Sequence, residues 1–361
     1  MNSRSSNVDL AKFIGSMLIM ACHLNVIDFK LYDFYNFWIY VEFFLVITGY
    51  YSAKHFDSKV NNNPFKESVI YTLKKFIPFL PYTLFFSFVL YLIKIVPDLL
   101  SGVINIKGAT FIFLEGYFFD NLFIANSYHH PLLSPTWFLS AMFIVFPLFT
   151  LILQIHNRYM IIIINAMYTL LYYGIRGIVS ASRTHGYESL LRVFAGLCLG
   201  AFIYEMVYVF NDYINKVNKA LLTVIEIITF IFPIIIICRG FSSPRLILLC
   251  HTICLSLMLS GVSYTSRIKG GKFFTYLGKL STCTYIIHIV ISNSIILLEK
   301  RIVLTDIYKC LLHESLPNCC IKEFPLIAEW RSDTYCLCDV YQTAISQGFG
   351  DVIPNNSDLQ F

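Results

Sequence analysis

Charged side chains are scarce in this sequence. Asp, Glu, Lys and Arg make up only 14% of its residues, whereas apolar residues make up 57%. In an ordinary soluble domain roughly a quarter of the residues are charged, so this chain has too little charge to cover a surface in water. The composition therefore argues against a soluble domain and indicates a membrane protein.

The sequence also lacks the strict apolar/polar alternation of a membrane β-barrel. Its apolar residues form long runs instead, such as 159–173 and 220–238. Because about 20 helical residues cross a hydrocarbon core of about 30 Å, we predict an all-α, polytopic integral membrane bundle with about nine or ten transmembrane helices. The predicted helices are 8–28, 34–53, 69–93, 135–155, 158–174, 189–210, 220–238, 245–263 and 277–298.

A tenth apolar run, 109–125, is interrupted by Glu115 and Asp120, and we interpret it as a re-entrant or interfacial segment. No small-residue cleavage site is evident after the first run, so we expect a retained first helix and not a removed signal peptide. Basic residues are more numerous in the connections that a cytoplasmic N-terminus would place inside. Since cytoplasmic loops are enriched in Lys and Arg, we expect a multi-pass protein of the cell membrane with a cytoplasmic N-terminus and no nucleic-acid partner.

The end of the sequence differs from the rest. Residues after 301 contain no run of spanning length and hold five of the eleven cysteines. We therefore predict a membrane domain at 1–301 and a polar, Cys-rich tail at 302–361 that adds no spanning helix. Disulfides can form there if the tail lies outside the cell. Because no CxxC pair occurs, we predict no metal site and no bound cofactor.

Ionisable groups inside membrane helices are costly and mark candidate functional sites. Lys12 and His23 are eleven residues apart in the first predicted helix. That spacing places them on one face and roughly 16 Å apart along the axis, with Lys12 near the cytoplasmic end. His23 is suited to proton transfer near neutral pH, and Glu42 can orient its imidazole. A snorkelling lysine and ordinary buried polar contacts for His23 and Glu42 remain open as alternatives.

Further candidates lie in the connections and at helix ends. On the outer side they are His129, His130, Trp137 and Arg192. Trp137 is also typical of a membrane-interface anchor, and Arg192 either binds an anion or snorkels. In the last inner loop the candidates are Arg267, Lys269 and Lys272. These cations surround two glycines and can bind phosphates, although the inside bias of basic residues would produce the same loop.

Five segments, in this order, resemble motifs of the membrane acyltransferase-3 family of integral membrane O-acyltransferases. They are NVDLAKFIGSMLIMACH at 7–23, VEFFLVITGYY at 41–51, PTWFLSAM at 135–142, LRVFAGLCLG at 191–200 and LGKLSTCTYIIH at 277–288. The resemblance covers about the first 300 residues. It implies transfer of an acyl group, commonly acetyl from cytoplasmic acetyl-CoA, to a sugar hydroxyl of an exported or cell-surface glycan.

On the family's pattern, Lys12 and His23 are the essential pair. We expect His23 to act as general base, while Lys12 and the last inner loop bind the donor and the outer candidates lie on the acceptor side. Lys12 stands where relatives usually have Arg, which keeps the charge but loses the bidentate fork. Relatives usually continue with one more spanning helix after the counterpart of His288, where this chain has its polar tail.

Two other classes of function remain open. Intramembrane Lys, His, Glu and Arg also mark transport pathways, so a transporter or flippase is the main alternative. A non-catalytic relative with an altered C-terminus is the third. Inverted repeats would support transport, and none is evident. We therefore expect an acyltransferase, whose partners are an acyl-CoA donor, a glycan acceptor and the lipid bilayer.

Overall fold

The computed structural model describes residues 6–24, 35–57, 62–122, 136–155, 157–178, 186–241, 243–268 and 271–312. Its regular secondary structure over these ranges is entirely helical. The α-helices are α1 Ser6–Leu24, α2 Tyr40–Phe56, α3 Pro64–Phe76, α4 Leu80–Leu100, α5 Ile106–Ile112, α6 Phe118–Asn121, α7 Thr136–Ile152, α8 Arg158–Thr169, α9 Tyr187–Val209, α10 Asn211–Ile214, α11 Lys219–Cys238, α12 Pro244–Ser260 and α13 Lys272–Leu312.

Short helices of other types connect or continue these elements. Tyr35–Ile39, Ile77–Phe79 and Thr265–Arg267 are 3-10 helices. Phe113–Tyr117 and Leu170–Arg176 are π-helices. The run 109–125, predicted as re-entrant or interfacial, thus includes part of α5, the π-helix Phe113–Tyr117 and α6. Its position relative to a membrane stays a prediction.

Four helical segments in the described ranges are long and apolar enough to cross a membrane. They are Pro64–Leu100, Tyr187–Val209, Lys219–Cys238 and Lys272–Ile295. Trp137–Ile152 and Pro244–Ser260 are shorter apolar helices. The all-α fold class is confirmed for the described residues. The number of spans and the orientation stay predictions.

Helical structure occupies each of the nine predicted positions. However, the predicted helix 69–93 lies within α3, a 3-10 turn and α4, and the last helix ends later than predicted. Helix α13 continues to Leu312 and not to 298. The reason is that the sequence contains no Gly or Pro between 279 and 316, so nothing stops the backbone hydrogen bonding where the apolar run ends. The chain has two compact units, Met1–Leu298 and Glu299–Phe361, and the role of the tail stays a prediction.

Glycines bring α2 and α9 into backbone contact. A Cβ added at Gly49 would lie 2.1 Å from the carbonyl oxygen of Leu197, and one at Gly200 would lie 2.1 Å from that of Val46. One at Gly196 would lie 2.7 Å from a Leu45 side-chain atom. This is the close approach that small residues four apart allow between membrane helices. The α2–α9 seam, as we call this contact, fixes the backbones that carry Glu42 and Arg192.

Polar contacts define two ends of the bundle. At the Asn7 end, Ser6 Oγ donates to Ile268 O at 2.9 Å. At the His23 end, Ser292 Oγ donates to the backbone oxygen of His23 at 3.3 Å. Tyr50, late in α2, donates through its hydroxyl to Leu259 O at 2.9 Å, near the Asn7 end. Helix α2 therefore runs from the His23 end to the Asn7 end, opposite to α1.

Candidate functional site

Two imidazoles meet at the His23 end. His23, in the last turn of α1, and His288 of α13 have ring centroids 4.8 Å apart and ring planes 37° apart. His23 is partly exposed, whereas His288 is fully buried. Within the described part of the chain, neither ring nitrogen of His288 makes a hydrogen bond to a residue outside its own helix. A reachable imidazole therefore lies against one that is closed to solvent.

Aromatic rings surround this pair on the α13 side. Tyr285 lies edge-on to His288, with centroids 5.5 Å apart. Its ring also contacts Phe138 of α7 at 4.8 Å and Phe44 of α2 at 6.1 Å. Three helices thus form an apolar wall beside the imidazoles, which limits the access of water to them.

Glu42 forms a buried ion pair that corrects the sequence prediction. Its Oε1 lies 2.5 Å from Arg192 Nε, both side chains are 0% exposed, and Tyr173 donates through its hydroxyl to Oε2 at 2.8 Å. Glu42 was predicted to orient His23, but among the described residues it makes no hydrogen bond to His23. The physical reason is that a buried carboxylate needs a counter-charge, and Arg192 supplies one.

Arg192 was predicted as an acceptor-side residue, and it lies at the His23 end with its side chain fully buried. Its guanidinium lies over the rings of Trp38 and Trp137, at 4.9 and 5.4 Å from their centroids. Because Arg192 is fully buried and neutralised by Glu42, it is not open to an anionic ligand. Trp137 is partly exposed, and the next residue, Phe138, belongs to the aromatic wall beside the two imidazoles.

A π-helix supplies two further residues that the sequence analysis missed. Leu170–Arg176 places Tyr173 toward Glu42, and Tyr172 donates to Glu188 at 3.2 Å. Arg176 pairs with Glu188 at 2.5 Å. π-Helices frequently occur at functional sites, but apolar periodicity does not reveal them. The sequence carried no usable signal for these two tyrosines.

The donor-side candidates lie toward the Asn7 end. Lys12 is partly exposed and five residues along α1 from Asn7, which is about 7.5 Å. Arg267 and Lys272 are exposed, and the Arg267 guanidinium lies 5.5 Å from the centroid of the Tyr264 ring. Since the first turn of α1 is bonded to the loop containing Arg267, these cations face one end of the bundle.

A buried acid fixes that loop. Asn7 Nδ2 donates to Thr265 Oγ1 at 3.1 Å, and the same hydroxyl donates to Glu226 Oε1. The backbone N–H of Tyr264 donates to Thr223 Oγ1 at 2.9 Å. The sequence analysis did not single out Glu226, although an acid within the apolar run 220–238 was a signal for it. The network holds α1, α11 and the loop together.

A second arginine cluster lies at the Asn7 end of the α2–α9 seam. Arg158 pairs with Asp57 at 2.9 Å and with Glu205 at 2.5 Å, and it stacks 3.5 Å from the centroid of the Tyr208 ring. A cavity of about 480 Å³ lies close by, along the end of α9. It is lined by Tyr204, Val207, Tyr208, Val209, Asn211 and Asp212. Asp212 and the nearby acids make it a poor site for phosphates.

The remaining predictions are not decided by this geometry. His129, His130 and Lys269 lie outside the described residues. Among the residues that are described, no group of three or more His, Cys, Asp or Glu could hold a metal ion. The predicted absence of a metal and of a cofactor stays a prediction.

Comparisons with known proteins do not assign the chain to a family. No family model matches it, no curated protein matches it, and no solved structure matches it. The resemblance in the five motifs therefore stays a prediction, and the case for a function depends on the residues and their geometry.

Proposed function

We propose that the protein is a membrane-embedded O-acyltransferase, most simply an O-acetyltransferase. It moves an acyl group from cytoplasmic acyl-CoA to a sugar hydroxyl of a cell-surface or exported polysaccharide. The observation that supports this most is the position of His23. It is a partly exposed imidazole at one end of α1, beside a buried imidazole and an aromatic wall, and the same helix carries Lys12 toward its other end.

In the proposed reaction, His23 is the general base. It takes the proton of the acceptor hydroxyl while that oxygen attacks the thioester carbonyl carbon. The new C–O bond forms, the C–S bond breaks, and the proton passes from the His23 imidazolium to the departing thiolate. The reaction balances without a redox partner or metal. The wall of Tyr285, Phe138 and Phe44 limits competing hydrolysis by excluding water.

The donor enters, in this proposal, from the Asn7 end. Lys12, Arg267 and Lys272 offer cations for the phosphates of CoA. Lys12 and His23 are roughly 16 Å apart along α1, a span that an extended pantetheine arm can cover. The thioester can thus reach His23 while the phosphates remain near the cations. On this basis we place the N-terminus in the cytoplasm and the protein in the cell membrane.

The acceptor approaches from the His23 end. Trp137 offers an indole face against which a sugar ring can pack. Arg192 does not contact the acceptor in this scheme. It supports Trp137, because its guanidinium packs against that ring and is held by Glu42.

The direct test compares surface polysaccharide from cells with and without the protein, and also from cells that carry only His23→Ala. Mass spectrometry should show the mass increment of one or more acyl groups only with the wild-type protein. Purified protein should release CoA thiol from acetyl-CoA when it is given polysaccharide from cells that lack it. Identical acylation in all three strains would contradict the proposal.

A transporter or flippase is the second candidate. The observation that favours it is Glu226, which is 1% exposed within the spanning-length helix α11, since buried acids mark ion and proton pathways. Solute uptake or lipid flipping in proteoliposomes that is lost in Glu226→Gln, without thiol release from acetyl-CoA, would support this candidate. A protein active in neither assay would fit a non-catalytic relative.

A further inference from the structure

The base proposed above lacks the carboxylate partner expected from the sequence, because Glu42 is bound to Arg192. We propose that His288 takes that place. Its neutral imidazole accepts a hydrogen bond from the His23 imidazolium, which holds the His23 ring and stabilises the charge that forms on it. This inference rests on the proposed function and adds a positioning residue to the same site.

The geometry allows this contact with little movement. A hydrogen bond of about 2.9 Å between two ring nitrogens places the imidazole centroids about 5 Å apart, close to the 4.8 Å separation of His23 and His288. Reorientation of the partly exposed His23 ring would complete it. The bond from Ser292 to the His23 backbone keeps the end of α1 in register with α13.

Because His288 is buried, its contact with His23 should be stronger in the transition state than in the ground state. His288 is 0% exposed, and neither ring nitrogen has a hydrogen-bond partner outside its own helix among the described residues. Its lone pair gains a strong donor when His23 becomes charged, because hydrogen bonds to ionised groups are the stronger ones. An interaction that strengthens as charge develops accelerates the chemical step instead of merely tightening substrate binding.

The proton balance assigns His288 no net transfer. The acceptor proton moves to His23, whose other N–H donates to His288, and the same proton count is restored when His23 protonates the thiolate. His288 remains neutral throughout and acts through His23.

His251 provides a matched control elsewhere in the bundle. It is 1% exposed, and both its ring nitrogens also lack partners among the described residues. Its ring neighbours among the described residues are Tyr40 at 4.5 Å and Phe43 at 5.6 Å, and neither is a histidine. Burial and packing are thus similar at His251, but no second imidazole lies beside it in the part of the chain that the structure describes.

The test compares His288→Gln with His288→Met. These side chains have similar length and volume, but the amide oxygen of Gln accepts a hydrogen bond well and the Met sulfur accepts one weakly. The rate is release of CoA thiol from acetyl-CoA, with polysaccharide from cells lacking the protein as acceptor, at equal amounts of monodisperse purified protein. We expect Gln to stay within about 10-fold of wild type and Met to lose about 10²-fold, while His251→Met stays near wild type.

A double variant separates this role from simple packing. Because His288 acts through His23, adding His288→Met to His23→Ala should cause no further loss of rate. Equal rates for Gln and Met, whether high or low, would overturn the inference, as would a further loss in the double variant. A wild-type rate in His23→Ala would instead refute the proposed function, so the two failures are distinguishable.

Discussion

The two ends of the α2–α9 seam each hold an arginine with acidic partners, in opposite surroundings. At the His23 end, Arg192 and Glu42 are both fully buried and form an ion pair of one cation with one acid. At the Asn7 end, the side chain of Arg158 is 30% exposed and shares two acids, Asp57 and Glu205. A charge kept from water needs a matched partner, whereas a partly hydrated cluster tolerates an unequal number of charges. Loss of one charged partner should therefore destabilise the fold more at the His23 end than at the Asn7 end.

The largest difference between the two ends is expected for the variant His23→Ala, which tests the chemical role of the His23 end. We expect acyl transfer to fall by about 10²- to 10⁴-fold, because the proton-transfer group at the His23 end is lost. The measurement is thiol release from acetyl-CoA together with acylation of the native polysaccharide, at equal membrane abundance. His251→Phe is the control and should remain near wild type, since an aromatic ring suits the space between Tyr40 and Phe43.

Arg192→Leu tests the buried pair at the same end. It should lower the free energy of unfolding by about 3–5 kcal/mol, because Glu42 is left buried without its counter-charge. Denaturant unfolding in detergent measures this loss. The double variant Arg192→Leu/Glu42→Leu should recover much of it, and a double variant no more stable than Arg192→Leu would show that the pair is not what matters.

Gly200→Ala tests whether the two ends are joined rigidly. The added methyl would lie 2.1 Å from Val46 O, so we expect α2 and α9 to separate at a cost of about 1–3 kcal/mol. Thermal unfolding of the purified protein measures the change. Gly174→Ala is the control, because its Cβ meets no atom within 4 Å, and equal destabilisation by both would contradict the close contact.

Variants of Lys12 test the Asn7 end, where we expect an effect on the binding of acetyl-CoA and not on the chemical step. Lys12→Ala should raise the KM for acetyl-CoA by about 10-fold, because a phosphate contact is lost, with a smaller effect on kcat. Lys12→Arg keeps the charge and restores a bidentate fork, so its KM should equal or improve on wild type. A larger effect of Lys12→Ala on kcat than on KM would place Lys12 in the chemical step.

The smallest effect is expected for Asp57→Asn, which removes only the pair between Arg158 and Asp57, both 30% exposed, and leaves the buried Glu205 paired with Arg158. Partly exposed ion pairs contribute about 0.2–1 kcal/mol and weaken with salt, so the loss of stability should be within that range and shrink at high ionic strength. Unfolding at two salt concentrations measures it. A loss as large as that of Arg192→Leu would remove the contrast between the two ends.

The sequence was sufficient for the helices and for the position of His23. The long apolar runs predicted where the helices lie, because helices placed there bury few charged side chains. The spacing of eleven residues predicted that His23 lies toward the opposite end of α1 from Lys12. Side-chain partners did not follow in the same way. Glu42 had several cations available along the chain, and only packing decides that Arg192, 150 residues away, is its partner.

The missed residues differ in how visible they were. Gly196 and Gly200 form a small-xxx-small pattern that signals close helix contact, and His288 lay within a quoted motif without an assigned role. Tyr172 and Tyr173 depend on a π-helix, whose extra residue per turn changes which side chains face the interior. Such a change in register leaves no trace in composition or in apolar spacing.

The α2–α9 seam also has a mechanical consequence. Helices that touch through their backbones at Gly49 and Gly200 cannot slide or tilt past each other without collision, so they form a fixed frame. Under the proposed function, a motion that admits a long donor would leave this pair of helices unchanged and would involve other helices of the bundle.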